Sequence, residues 1–296
     1  VEFLLYGGMA LLLFWMIRDF RRPLVLVKNY AATAALLLFL YAACCGVNYY
    51  RVPFSSYYIA QIAETKTDRD HNLKELCLWL TEEVNQARIE LEQTEGNYEN
   101  VREKGVIAMK RLAEEYPSLG GYYPQPKPVT VSWILSVQQC SGVYSPFTIE
   151  ANYNNDMTEY NIPHTICHEL SHLRGFMRED EANFIGYLAC LGSEGADYRY
   201  RGFLLGWIYA GNALAKRDYT VYNKIYAMLA EPVIADLEEN SAFWDQYEGE
   251  MAEVQEKVND AYLKANGQVH GVQSYGRVVD LMLIDFACHR KGKMIE

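Results

Sequence analysis

The sequence predicts an α+β fold, mostly helical with one small sheet, preceded by two transmembrane helices. Three observations predict it. The first 50 residues hold two long apolar runs around a short basic stretch. Most of the remainder repeats its apolar residues at helical spacing. One region, residues 129 to 152, is instead rich in β-branched and aromatic residues around a glycine-containing turn. At 296 residues and 50% hydrophobic, the chain is long enough for one sizeable domain besides the membrane segments.

Residues 1 to 17 (VEFLLYGGMALLLFWMI) carry a single charge, Glu2, and residues 29 to 50 carry none. Each run approaches the roughly 20 residues that cross a hydrocarbon core as a helix. The loop between them, residues 18 to 28, sets Arg18, Arg21, Arg22 and Lys28 against Asp19 alone. Short loops of that kind stay in the cytoplasm. The expectation is therefore a multi-pass membrane protein with two spans in residues 1–50 and an extracytoplasmic domain in residues 51–296. Because the chain opens on valine, a fragment of a longer protein is expected. The net charge of −11, with no basic patch among aromatics, excludes nucleic acid as an expected partner and leaves the lipid bilayer.

Within the domain, residues 69 to 94 form a first amphipathic helix with Leu73, Leu76, Leu80, Val84 and Ala87 in one stripe. Residues 102 to 115 form a second, before a Gly/Pro/Tyr loop from Pro117 to Pro128. Two strands follow, Val129 to Val137 and Val143 to Asn152, with Cys140-Ser141-Gly142 between them. A short helix then spans the low 160s to Leu173, with Pro163 in its first turn and Gly175 as its stop. Residues 178 to 191 form the next helix. Further helices are expected over 199 to 216, 219 to 246 (broken near Pro232) and 248 to 265. The last, from about Arg277 to Cys288, is apolar but too short to span a bilayer. The five cysteines beyond the spans are odd in number and form no CxxC, so buried free thiols are expected.

The helix over the 160s carries His168-Glu169-Leu170-Ser171-His172. Histidines at i and i+4 share one helix face, where both imidazoles reach one metal ion. The glutamate between them stands beside the open coordination position, where a general base is needed. HExxH on a helix is the zinc-peptidase signature. The expected cofactor is one zinc ion per chain, and the expected domain is zincin-like.

A third protein ligand is required. Gly175 extends the motif to HExxHxxG, but the metzincin branch would need a histidine where Arg178 stands, and a guanidinium does not bind zinc. A glutamate on the following helix is the other solution, and Glu179, Asp180, Glu181 and Glu194 compete. Glu179 and Asp180 lie in a first helical turn, where the helix dipole alone favours acids. Glu194 follows the terminating Gly192. Glu181 is therefore the expected ligand. His164, two turns from His172, cannot join a tetrahedral set with both other histidines and reads as a cleft or surface histidine. His71, His270 and His289 lack any motif context.

Glu181-Ala182-Asn183-Phe184 resembles the E-A-N-x-F segment of gluzincin-type peptidases, in which that glutamate binds the metal. The run from Ile162 through Cys190, with Ser274 to Leu281 near the end, resembles a family of bacterial membrane-anchored, zinc-peptidase-like proteins of undetermined function. One departure from the thermolysin branch is Ile185, four residues after Glu181, where an aspartate would orient a histidine.

These residues predict a membrane-anchored zinc metallopeptidase acting on a peptide or protein. His168, His172 and Glu181 would hold zinc, and Glu169 would act as general base. Tyr275 and Arg277 are the candidates for stabilising the oxyanion, with His164 and His270 as alternatives. Phe147, Thr148, Ile149 and Glu150, in the strand before the active-site helix, are the candidates for binding substrate by β-pairing, and Pro146 fits a strand edge. Two other functions fit the same motif: a catalytically silent zinc-binding membrane sensor, and hydrolysis of a non-peptide amide.

Overall fold

A computed structural model describes residues 2–58, 69–94, 100–266 and 277–293. The chain is mostly helical, with one three-stranded sheet. The α+β expectation is therefore met at that level.

Helices α1 (Glu2–Arg18) and α2 (Pro23–Cys44) form an antiparallel hairpin, tied by Tyr30 Oη donating to the Leu12 carbonyl at 3.0 Å. Among the described residues one helix, not the expected two, is long and apolar enough to cross a membrane, and it begins at Pro23. The 17 described residues of α1 reach roughly 26 Å, against a hydrocarbon core of about 30 Å. The basic loop is also shorter than expected, because Pro23 occupies the first turn of α2 and Lys28 lies inside that helix. No residue of α2 is buried.

Beyond two short 3-10 turns, α3 (Arg69–Gln93) buries Leu73, Leu76, Leu80 and Val84 completely or nearly so. It packs along α8 (Ala196–Arg217). Trp207 on α8 donates to Thr81 Oγ1 at 2.9 Å across that seam. Helix α4 (Val101–Glu115) then meets the two helices that carry the site.

The expected strand over 129 to 137 does not form. A two-residue β1 (Lys127–Pro128) precedes a short helix α5 (Ser132–Val137). The segment is apolar without alternating: Trp133 and Ile134, adjacent in sequence, are both exposed. The second expected strand splits into β2 (Gly142–Ser145) and β3 (Glu150–Tyr153), an antiparallel pair that brings Ser145 opposite Glu150. Residues 146–149 make the turn between them. Pro146 supplies the fixed φ such turns use, and Thr148 Oγ1 donates to Ser145 Oγ at 2.9 Å. Ile149 closes it in the left-handed region at φ 53°. The sheet order is β1-β3-β2, with β1 parallel to β3, so β2 is an edge.

Helix α6 (Ile162–Leu173) runs beneath this sheet and is followed by α7 (Glu179–Leu191), which packs against it and against α8. Ile166, Cys167 and Leu170 on α6 are fully buried. Gly175 takes φ +87°, the left-handed stop expected after Leu173, and turns the chain into α7. Helices α9 (Tyr219–Tyr226) and α10 (Glu231–Asp245) are separated as expected, with Pro232 in the first turn of α10. Helix α11 (Glu250–Ala265) follows, and α12 (Arg277–Lys293) packs on α7, α3 and α8. All seven cysteines are free thiols; Cys77, Cys167 and Cys190 are buried as expected, whereas Cys140 and Cys288 are only half-buried.

Candidate metal centre

Two consecutive helices build the site. The i, i+4 spacing on α6 stacks the His168 and His172 rings with centroids 4.6 Å apart. The Gly175 turn then brings the start of α7 across them. The carboxylate delivered there belongs to Glu179, not to Glu181. Glu179 Oε2 lies 3.2 Å from His168 Nε2, and Oε1 lies 3.6 Å from His172 Nε2. The three side chains offer ligand atoms all within 4.8 Å of one another.

Glu181 points elsewhere. Two residues along a helix rotate a side chain by about 200°, to the opposite face. Its buried carboxylate accepts from Ser55 N at 3.3 Å and from Ser55 Oγ at 3.2 Å, which ties α7 to the segment after the N-terminal hairpin. Asp180, also buried, pairs with Arg277 Nε at 3.3 Å. Arg277 thus anchors α12 to α7 and does not line the cleft over the histidines. Tyr275 and His270 lie outside the described residues. His164 is buried, with Nε2 3.0 Å from the Asn183 carbonyl, and lies behind the site instead of in the cleft.

Each histidine is oriented through its other nitrogen. His168 Nδ1 lies 2.8 Å from Asn183 Oδ1, and His172 Nδ1 lies 2.7 Å from the Phe176 carbonyl. When the rings are neutral, both acceptors favour the tautomer with the proton on Nδ1, which leaves Nε2 available to a metal ion. Asn183 stands four residues after Glu179, so ligand and orienting residue share one helix face. That spacing was readable in the sequence. Four residues after Glu179 comes a hydrogen-bonding side chain, whereas four after Glu181 comes Ile185, fully buried in the core.

The donor set fits zinc. With metal–ligand bonds of about 2.0–2.1 Å, the edge of a tetrahedral set is about 3.3 Å, and the two contacts of 3.2 and 3.6 Å bracket that edge. Burial pulls His168 down, but the Glu179 carboxylate outweighs it and holds the imidazole at about 9. His172 is pushed down to about 4 by burial, against the attraction of Glu179. Glu179 itself is lowered, since the histidines outweigh its burial. The site favours a carboxylate facing positive charge.

Glu169 lines the same cleft. Its side chain is 4% exposed, its Oε2 has no hydrogen-bond partner, and burial raises its carboxyl to about 8. A buried carboxylate oxygen without a partner costs free energy unless something else comes to meet it. Gly142 of β2 lies directly against it: a Cβ at Gly142 would fall 2.6 Å from Glu169 Oε1 and 2.7 Å from Thr165 Cγ2.

The cleft has a volume of about 940 Å³. One wall is His168, His172 and Glu179 with Glu169. A second is β2, from Gly142 to Tyr144, and a third is α11 with the turn before it. Phe147, Thr148, Ile149 and Glu150 do not line it, and the exposed Phe147 and Ile149 belong to the turn between strands. Four tyrosines do: Tyr49, Tyr144, Tyr209 and Tyr262. Tyr49 Oη donates to Tyr262 Oη at 3.3 Å, and Tyr144 Oη to the Cys44 carbonyl at 3.4 Å. Tyr209 sits near Glu179, where burial raises its hydroxyl well above the usual range.

No curated protein and no solved structure matches the chain. Residues 1–283 match a family known only as a protein of unknown function, DUF3810, so nearly the whole chain is covered and the protein belongs to that family.

Proposed function

We propose that the protein is a membrane-anchored, zinc-dependent peptidase. The observation that carries this reading is the convergence of His168 Nε2 and His172 Nε2 on the Glu179 carboxylate, with the unpartnered Glu169 Oε2 in the same cleft. A purely structural metal site has no need of that fourth group.

Zinc bound there would supply Lewis acidity, polarising a carbonyl and making water easier to deprotonate. The chain's own residues do the rest. Glu169 takes the proton from the attacking water and returns it to the departing amine. In β2, the bond from Asn154 N to the Ser141 carbonyl sets the alternation of the ladder. The N–H and C=O of Gly142 and Tyr144 therefore face away from β3, where an extended peptide can pair with them. Tyr209, which lines the cleft near Glu179, would donate to the carbonyl oxygen as it gains charge, the role expected of Tyr275 or Arg277.

Helix α2, with 22 residues and none buried, supports insertion in a bilayer. Arg18, Arg21 and Arg22 at the turn before it support a cytoplasmic turn and an extracytoplasmic domain.

The test is cleavage of a peptide library by the zinc-loaded full chain and by Glu169→Gln. The wild type is expected to cleave, and the variant to keep its zinc and lose at least about a hundredfold in rate. Tyr209→Phe is expected to lower kcat by about ten- to a hundredfold with KM and zinc content unchanged. Equal cleavage by wild type and Glu169→Gln, or none by either, would overturn the reading.

A further inference from the structure

We propose that the substrate is a cationic peptide, with lysine or arginine beside the scissile bond, drawn in by an acidic wall facing the metal triad. This rests on the peptidase reading above. The wall is formed by α11 and the turn preceding it, which present Glu248, Glu253 and Glu256 to the cleft. All three are exposed, and none is ion-paired among the described residues.

Among the described residues no lysine or arginine lines this cleft, although the chain contains 27 of them. Two buried acids of the domain are met by bases: Lys104 pairs with Asp197 at 2.8 Å and Arg88 with Asp236 at 2.9 Å. On α11, Asp260 is met by Lys264 at 2.6 Å, whereas Glu248, Glu253 and Glu256 have no such partner among the described residues. A dication on His168, His172 and Glu179 would offset the charges of Glu179 and Glu169, and the three rim carboxylates would still stand unbalanced.

Two features point to a ligand independently of the rim. Glu169 Oε2 is buried without a partner on the inner wall, and the free polar groups of Gly142 and Tyr144 run along the side between the walls. A peptide laid along β2 has side chains alternating to either side. One set therefore faces α11. Clefts lined by one sign of charge concentrate ligands of the opposite sign, with an effect that fades as salt screens exposed charges.

The experiment measures binding apart from turnover. Zinc-loaded full-chain Glu169→Gln in detergent is titrated into labelled decapeptides that differ only in a central Lys-Arg, Ala-Ala or Glu-Glu pair, and anisotropy is read. The basic peptide is expected to bind at least about tenfold more tightly than the acidic one at low salt. The gap should close in the further variant Glu248→Gln/Glu253→Gln/Glu256→Gln, with zinc content unchanged, and should narrow with added sodium chloride. Equal affinities, or a preference that survives the triple substitution, overturn the proposal. Wild-type cleavage separates the two claims. Cleavage with no basic preference sinks the substrate class and leaves the peptidase. Selective binding of basic peptides without cleavage sinks the peptidase and leaves the acidic wall.

Discussion

Glu179 and Glu181 are two residues apart and both carboxylates, the first half-buried and the second buried, yet only one faces the histidines. The helix decides between them: Glu179 shares a face with Asn183, and Glu181 lies opposite on Ser55. Zinc content of the purified variants separates the two roles. Glu181→Gln keeps an acceptor for Ser55 and is expected to retain about one zinc per chain. Asn183→Leu removes the acceptor from His168 Nδ1, and zinc affinity is expected to fall about ten- to a hundredfold while the fold persists. Undiminished affinity in Asn183→Leu would mean that His168 is oriented by some other group. Gly142 makes a steric demand instead. A methyl there would press on Glu169 Oε1, so Gly142→Ala is expected to keep zinc and lose most hydrolysis.

At the level of elements, periodicity was a sound guide where a helix buries one stripe. The boundaries of α3, α4, α6 and α7 fall within a few residues of those the apolar spacing and the Gly175 stop imply. It misled where composition stood in for pattern. Residues 129 to 137 are β-branched and aromatic but do not alternate, and they fold as the short α5. Residues 143 to 152 do form strand, but Pro146 and the 145–148 contact fold it into a hairpin. That displacement moves the edge strand of the cleft from residues 147–150 to residues 142–145. The HExxH motif, its helix and the need for a glutamate on the next helix were all legible in order. The choice among neighbouring acids was not, because the dipole argument explains Glu179 equally well as a helix starter and as a ligand. The wall of α11 had no local signature, since it faces the cleft only through tertiary folding.

Over the whole molecule, the cleft lies where the domain meets the N-terminal hairpin of α1 and α2. Cys45 and Tyr49, just past the end of α2, line it, and Tyr262 of α11 reaches back to Tyr41, Tyr49 and Cys45. Met177, between His172 and Glu179 in sequence, packs on Cys45 with the sulfurs 3.5 Å apart. Anchor and site are therefore one packed unit. The full chain is expected to remain in the membrane fraction through alkaline carbonate extraction. Release into the supernatant would show that α2 does not reside in the bilayer.

The central claim is that His168, His172 and Glu179 form a zinc centre. Metal analysis of the purified full chain tests it directly, comparing wild type, Glu179→Gln and Glu169→Gln at matched protein concentration. One zinc per chain is expected in the wild type and in Glu169→Gln, and a loss of most of it in Glu179→Gln. A wild type without zinc, or a Glu179→Gln variant that holds it as well as the wild type, would contradict the account.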